Sequence, residues 1–350
     1  MSIASIKSNS ELGILIWLTS LTILVLVMII IGGLTRLTES GLSMVDWKPI
    51  LGAIPPINEA QWLEKFKMYQ AFPEFQKVNS HMDLAGFKSI FFWEYFHRLF
   101  GRLIGLFFFV PFAFFALTKS FDKKTFFKMF LALVLGGSQG LMGWYMVKSG
   151  LVDRPDVSHF RLAAHLGLAF IILAYLFWLV LEIKNPLRER LQKIEYFKAQ
   201  AFLTILIIVQ IIYGAFVAGL DAGLTHNTFP KMGRYWIPRE FYNIFQSIIE
   251  VFENPVVIQF VHRSIGILIA VFAVYMMTKT LKMNNFQQKK TIKFLFLALM
   301  MQVVLGILTL VNYVPITLAS AHQVMAAIIT LCVVRLWFFS IYKTQKSLKA

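Results

Sequence analysis

Residues 90–118 read IFFWEYFHRLFGRLIGLFFFVPFAFFALT, and residues 256–278 read VVIQFVHRSIGILIAVFAVYMMT. Each run exceeds the roughly 20 apolar residues that a helix needs to cross the hydrocarbon core, and each confines its charges to the early turns. Both carry one pattern: His97-Arg98-x-x-Gly101-x-Leu103-Ile104 and His262-Arg263-x-x-Gly266-x-Leu268-Ile269. An ionisable side chain inside a lipid-spanning segment is costly and marks function by default. Finding the same pair in two such runs points to a duplicated membrane unit.

The rest of the chain agrees. With 58% apolar and 15% charged residues in 350, it is too apolar for a soluble domain of this length. Further charge-free runs lie at Leu12–Leu34, Met129–Val147, Leu162–Leu181, Ala199–Leu220 and Phe294–Met325. The last is long enough for two spans and breaks near Asn312–Pro315, so eight helices are expected. The net charge of +16 is a topology signal rather than a sign of nucleic-acid binding. Segments 118–128, 184–198 and 279–293 and the two chain ends hold 18 of the 34 Lys and Arg, while 35–90, 148–161 and 220–256 hold 12, balanced by 12 acids. The positive-inside rule then places both termini in the cytoplasm and the three long loops outside. The single cysteine, Cys332, allows no internal disulfide, and no cleavable signal is evident before the first span. A bacterial inner membrane fits these features.

The repeat extends beyond the His-Arg helices. The fourth span reads Ala164-His165-x-x-x-Ala169-x-Ile171-Ile172 and the eighth Ala321-His322-x-x-x-Ala326-x-Ile328-Ile329. The third and seventh share Gln-x-x-x-Gly, at Gln139/Gly143 and Gln302/Gly306. After the first span comes Glu39-Ser40-Gly41-Leu42-Ser43, and after the fifth Asp221-Ala222-Gly223-Leu224-Thr225. Four spans separate equivalent positions, so the expected fold is all-α and polytopic: two tandem four-helix bundles related by a pseudo-twofold axis along the membrane normal. The halves are 1–183 and 199–350, joined by a cytoplasmic linker at 184–198. The segments at 240–253 and after Asn58 have one apolar face each and are expected as interfacial helices, either lids over pockets or plain lipid anchors.

His97, His165, His262 and His322 are each expected about one and a half turns inside a span, in the second, fourth, sixth and eighth helices. Two imidazoles per bundle suit six-coordinate haem iron, whereas zinc takes three or four protein ligands. Buried histidines satisfied by the core are the competing reading. Arg98 and Arg263 are placed to pair with haem propionates or to snorkel to headgroups. His81, His159 and His226 fall in outer loops and are read as solvated or hydrogen-bonding. The halves differ at Glu94 against Gln259, Arg102 against Ile267, and Arg161 against Leu318. A carboxylate on one side only marks the first half as the one where chemistry occurs, with Glu94 accepting a proton or stabilising positive charge. Neutralising Arg98 or Arg102 is its structural alternative.

The chain closely resembles the haem A synthases, in the form found in alphaproteobacteria and mitochondria. The resemblance rests on Arg36–Trp47 (RLTESGLSMVDW), Glu94–Arg98 (EYFHR), Gly143–Leu151 (GWYMVKSGL), Val217–Gly233 (VAGLDAGLTHNTFPKMG) and Ala321-His322-Gln323. It implies oxidation of a methyl group of haem O to the formyl group of haem A through an alcohol, for terminal cytochrome oxidase. It also implies a permanent haem b between His262 and His322, the substrate haem at His97 and His165, and importance of Glu94 for activity. Haem O synthase and an electron donor such as ferredoxin or quinol are the partners it suggests, with a homo-oligomer possible in such a family. A dihaem quinol-linked cytochrome and a haem transporter would use the same bundle.

Overall fold

The computed structural model describes residues 3–46, 52, 54–150, 156–191, 194–283 and 285–343. Trp47 and Leu151, which end two of the quoted blocks, and the basic residues beyond 343 lie outside them. The described chain is almost wholly helical. Its helices are α1 (Ile3–Leu37), α2 (Glu59–Gln70), α3 (Pro73–Lys77), α4 (Leu84–Leu117), α5 (Lys123–Gly150), α6 (His159–Lys184), α7 (Phe197–Gly219), α8 (Glu250–Glu253), α9 (Pro255–Thr280), α10 (Phe286–Val311) and α11 (Ile316–Ile341). All of these except α2, α3 and α8 are long and apolar enough to span a membrane, which gives the eight spans expected. One short antiparallel pair, β1 (Glu189–Arg190) with β2 (Tyr342–Lys343), ties the 184–198 segment to the end of α11.

Helix boundaries follow local chemistry. Asn58, Asp83, Asn254 and Asn285 each accept a backbone N–H of the first turn, at the starts of α2, α4, α9 and α10, where four amides otherwise lack partners. The break between α10 and α11 falls at Asn312–Pro315 as expected. Tyr313 and Val314 there adopt left-handed φ values of 61° and 58°, a costly conformation for a β-branched residue. Surrounding contacts hold it: the Asn227 side-chain amide donates to the Leu310 carbonyl at 2.8 Å, and Gly223 lies so close that a Cβ there would be 2.8 Å from Val314 Cγ2.

The chain forms two compact units, Leu24–Ala169 and Met1–Ile23 with Phe170–Ala350, and α1 and α6 each pass from one to the other. In the unit 24–169, Met44, Tyr69, Phe87 and Phe91 form a buried cluster against which Trp62, Phe66 and Phe75 pack. The other unit centres on apolar side chains of α7, α9, α10 and α11, among them Leu203, Ile269, Leu295, Leu299 and Leu336. Phe107, Phe109 and Phe114 of α4 are exposed, as expected of a surface that meets lipid rather than water.

Two local expectations are corrected. Residues 240–253 do not form one amphipathic helix: a 3₁₀ segment (Arg239–Phe245) is followed by a break and then the four-residue α8. The Asn243 carbonyl accepts from both Gln246 and Ser247, closing the segment, and Phe245 and Ile248 stay exposed. The start of α4 lies earlier than the apolar run suggests. Asp83 caps it, and the burial of Phe87 and Phe91 beneath α2, about 1.5–3 kcal/mol for each ring, offsets the polar residues interspersed there. His97 is therefore the fourteenth residue of α4, whereas His165, His262 and His322 are the seventh, eighth and seventh of their helices.

Candidate haem-binding sites

Each of the four histidines lies against a glycine of the preceding spanning helix. A Cβ built on Gly32 would be 3.3 Å from His97 Nε2, on Gly143 3.0 Å from His165 Cε1, on Gly214 3.3 Å from His262 Cε1, and on Gly306 2.9 Å from His322 Cε1. No side chain larger than hydrogen fits there without moving the ring. Gly32 stands seven residues before Glu39, as Gly214 stands seven before Asp221. Glu39 and Asp221 both adopt left-handed φ values, 51° and 49°, so the chain turns out of both helices the same way. The two sites thus share a backbone plan.

Side-chain amides hold three of the rings. Gln302 Nε2 lies 3.2 Å from His322 Nε2 and Gln210 Nε2 3.3 Å from His262 Nε2. Gln139 Nε2 lies 3.3 Å from both ring nitrogens of His165 and donates to the His165 carbonyl at 3.1 Å. His262 and His322 face one another with ring centroids 6.5 Å apart and planes at 68°. A metal–imidazole bond is about 2 Å and the ring centre lies about 1 Å beyond the nitrogen, so two imidazoles on one metal have centroids about 6 Å apart. His97 and His165 lie near enough to interact electrostatically.

Several buried polar atoms here lack a partner: Nδ1 of His262 and of His322, and Oε1 of Gln139, Gln210 and Gln302. Each such atom costs about 1–3 kcal/mol if left so, so the cradle suits an added group. Among the described residues no three His, Cys, Asp or Glu side chains converge as a metal site. The donor set is therefore two imidazoles with glycine-lined clearance, which fits haem iron and not a protein-ligated zinc.

Beside His97, Glu94 is 2% exposed. It accepts from Ser43 Oγ at 2.7 Å, from the Met44 backbone N–H at 2.6 Å and from Arg98 at 2.5 Å, and Arg98 also donates to the Met44 carbonyl at 2.9 Å. Its counterpart Gln259, equally buried, donates instead to the carbonyls of Ala222 and His226, at 2.8 and 3.2 Å. Arg263 donates to the carbonyls of Thr228 and His226 and to Gln259 Oε1, and its Nε has no partner. Both pairs bind the segment that follows the first helix of their half. Arg161 lies over the Tyr145 ring at 5.0 Å. His159 packs on Phe160 with centroids 4.1 Å apart, and His226 serves through its carbonyl. Outside the spans, burial pushes the Glu74 carboxyl of α3 up to about 8, and burial with Glu74 nearby raises the Tyr69 hydroxyl as well.

The family model described as cytochrome oxidase assembly protein matches residues 15–334. The chain belongs to that family. Among its relatives, a protein named Heme A synthase in Flavobacterium psychrophilum is 44% identical over 329 residues, 92% of this chain and 96% of its own. Another of that name in Nitrosospira multiformis is 43% identical over 333 residues, covering 93% and 92%. One in Wolbachia pipientis is 40% identical over 318 residues, covering 90% and 89%. In this family member, the sequence singled out the four histidines, both arginines and Glu94 as candidates. It missed Gly32, Gly214 and Gln210, though equal spacing of the two glycines from Glu39 and Asp221 was there to be read.

Proposed function

We propose that the chain is a haem A synthase, an oxidoreductase acting on a C–H group. It converts a methyl substituent of haem O to a formyl group through an alcohol, giving haem A. The N-terminal half, 1–183, takes the substrate haem at His97 and His165, and the C-terminal half, 199–350, keeps a haem b at His262 and His322. The observation that carries this reading is the glycine–histidine packing, present four times on one plan, with an acidic residue beside one pair and its amide beside the other. Full-length relatives named for the activity support it.

When bound, haem b would supply one-electron redox capacity, and His262 and His322 would be the residues that hold it. Gly143 and Gly306 leave the rings of His165 and His322 their clearance, and the glutamine amides orient three of the four rings. Arg98 and Arg263 place positive charge one residue beyond a ligand histidine, where a propionate is matched by guanidinium geometry. Glu94, held among three donors, keeps a negative charge near the substrate site that the other site lacks, and it stabilises positive charge arising there. The excess of Lys and Arg at 118–128, 184–198, 279–293 and the termini supports cytoplasmic termini, a bacterial cell membrane location, and sites towards the outer face.

The test is to express the chain with and without a source of haem O and identify extracted pigments by mass. Haem A and hydroxylated haem O form only with the source present. Unaltered haem O would return the chain to the class of dihaem carriers or transporters.

A further inference from the structure

The two sites share their glycines but differ in what stands behind one histidine. A Cβ on Gly266, one turn beyond His262, would lie 3.3 Å from Gln210 Nε2; on Gly101, one turn beyond His97, it would lie 3.3 Å from Met28 Cε. Met28 therefore occupies the place of Gln210. The rings respond. His262 turns Cε1 and Nδ1 towards its glycine, at 3.3 and 3.9 Å, with Nε2 on the amide, whereas His97 turns Nε2 and Cδ2 towards Gly32, at 3.3 and 3.8 Å. No hydrogen bond to the His97 imidazole is present among the described residues. A metal-ligating imidazole gives one nitrogen to the metal and donates its other N–H to an acceptor. The unpartnered Oε1 of Gln210 can take that role, whereas a thioether is only a weak acceptor and adaptable in shape, so it neither fixes the ring nor blocks its rotation.

We propose that Met28 makes His97 the imidazole that releases the haem being oxidised, while glutamine keeps His165 and both ligands of the other site in place. Position 28 is a positioning site, acting through His97, and the inference rests on the haem A synthase reading. It gives the substrate haem an axial position that opens, which a pair of equally fixed ligands would deny.

Carbon monoxide binding to the reduced, purified full-length protein reads this directly, because a haem holding both imidazoles has no position for it. Met28→Gln lowers the reactive fraction of the N-terminal haem about fivefold, the effect of one added hydrogen bond, and slows turnover. Gln210→Met makes the C-terminal haem reactive. Met28→Leu, which adds no acceptor, leaves the reactive fraction of the N-terminal haem unshifted. Unchanged reactivity in Met28→Gln and Gln210→Met with haem retained would overturn the proposal, as would an equal effect from Met28→Leu. If wild-type protein supplied with haem O takes up none at His97 and His165, the functional reading itself fails along with it.

A separate feature carries a second inference. Between α10 and α11 runs a groove of about 520 Å³, apolar along Phe294, Leu297, Met301 and Met325, with Lys290 and Arg335 at one end. Arg335 donates to Thr291 Oγ1 at 3.1 Å and Gln287 Oε1 at 3.0 Å and lies over the Phe339 ring. No carboxylate among the described residues pairs with either cation. Charged side chains within a span normally have a partner, and basic pockets between spanning helices bind anionic headgroups. The structure assigns this groove to an anionic phospholipid, with its phosphate on Lys290 and Arg335 and an acyl chain along the apolar wall.

The full chain in neutral detergent, given phosphatidylglycerol, phosphatidylcholine or inorganic phosphate, tests it by native mass spectrometry and melting. Phosphatidylglycerol is retained and raises Tm, the other two have no effect, and Lys290→Gln and Arg335→Gln reduce retention several-fold. Equal retention of phosphatidylcholine, an equal effect of inorganic phosphate, or retention unaffected in the exposed-site variant Lys290→Gln would overturn the assignment.

Discussion

Gly306→Ala tests whether the glycines face the histidines for the sake of the ligand. The added methyl would lie 2.9 Å from His322 Cε1, 3.4 Å from Nδ1 and 3.7 Å from Nε2, against the roughly 3.5–4.0 Å at which carbon atoms attract. Both groups sit on packed helices, so the ring must retreat by about half an ångström and carry its coordinating nitrogen with it. Overpacking of this kind costs about 1–3 kcal/mol, and alanine regains somewhat under about 1 kcal/mol over glycine in a helix interior. A net loss of up to about 2 kcal/mol weakens haem b binding by up to about thirtyfold. The assay is haem transfer from purified protein to an excess of a high-affinity scavenger, followed with the low-spin absorption spectrum. Gly137→Ala on α5, where an added Cβ meets nothing within 4 Å, is the matched control and releases haem at the wild-type rate. Wild-type release and an unshifted spectrum in Gly306→Ala would show the close approach to be incidental and remove His322 as a ligand.

Glu94→Gln keeps haem at both sites but forms no haem A; pigment extraction checks it, and normal product would take Glu94 out of the mechanism. The Glu74 carboxyl, ordinarily near 4.5 and raised to about 8 by burial, binds its proton more tightly when folded. Its contribution is fully present below pH 4.5 and is lost as pH rises through 8; melting curves across that window show the decline, and Glu74→Gln flattens it. Gly223→Ala places a methyl 2.8 Å from Val314 Cγ2 against a backbone already held left-handed, so Tm falls by an amount corresponding to about 1–3 kcal/mol; an unchanged Tm would show that the turn relaxes freely.

The spans were legible because lipid-facing helices forbid charge, and the break at Asn312–Pro315 because proline cannot continue the preceding helix. The histidines were legible because they interrupt apolar runs at repeated offsets. The start of α4 was not: Asp83 and Lys88 interrupt the apolar run, and burial of Phe87 and Phe91 is a tertiary event. The stretch 240–253 misled in the opposite way, since its apolar spacing suits a helix face that no neighbour covers, and an uncovered short helix has little to hold it. Glycine is common in membrane helices for plain packing, so the equal spacing of Gly32 and Gly214 from Glu39 and Asp221 was too weak a signal to single them out until their neighbours were seen. Met28 gained meaning only when Gly101 and Gly266 were found to face equivalent positions.

The difference between Glu94 and Gln259 reaches past one side chain. A carboxylate can only accept, so the segment after α1 turns a hydroxyl and an amide N–H towards it, from Ser43 and Met44. The Gln259 amide nitrogen can only donate, and the segment after α7 turns carbonyls towards it, from Ala222 and His226. Each surrounding is wrong for the other residue: a carboxylate at 259 would face two carbonyls, and an amide nitrogen at 94 would face two donors. The loops have therefore been rebuilt around the charge. Breaking a buried ion pair such as Glu94–Arg98 costs about 3–5 kcal/mol, yet well-packed neutral groups would be as stable or more so, and the second half holds the same junction with a neutral acceptor. Stability alone gives no reason for the carboxylate in the first half. On the proposed reading the charge serves the haem taken up beside His97, in the same half in which Met28 leaves that imidazole unrestrained.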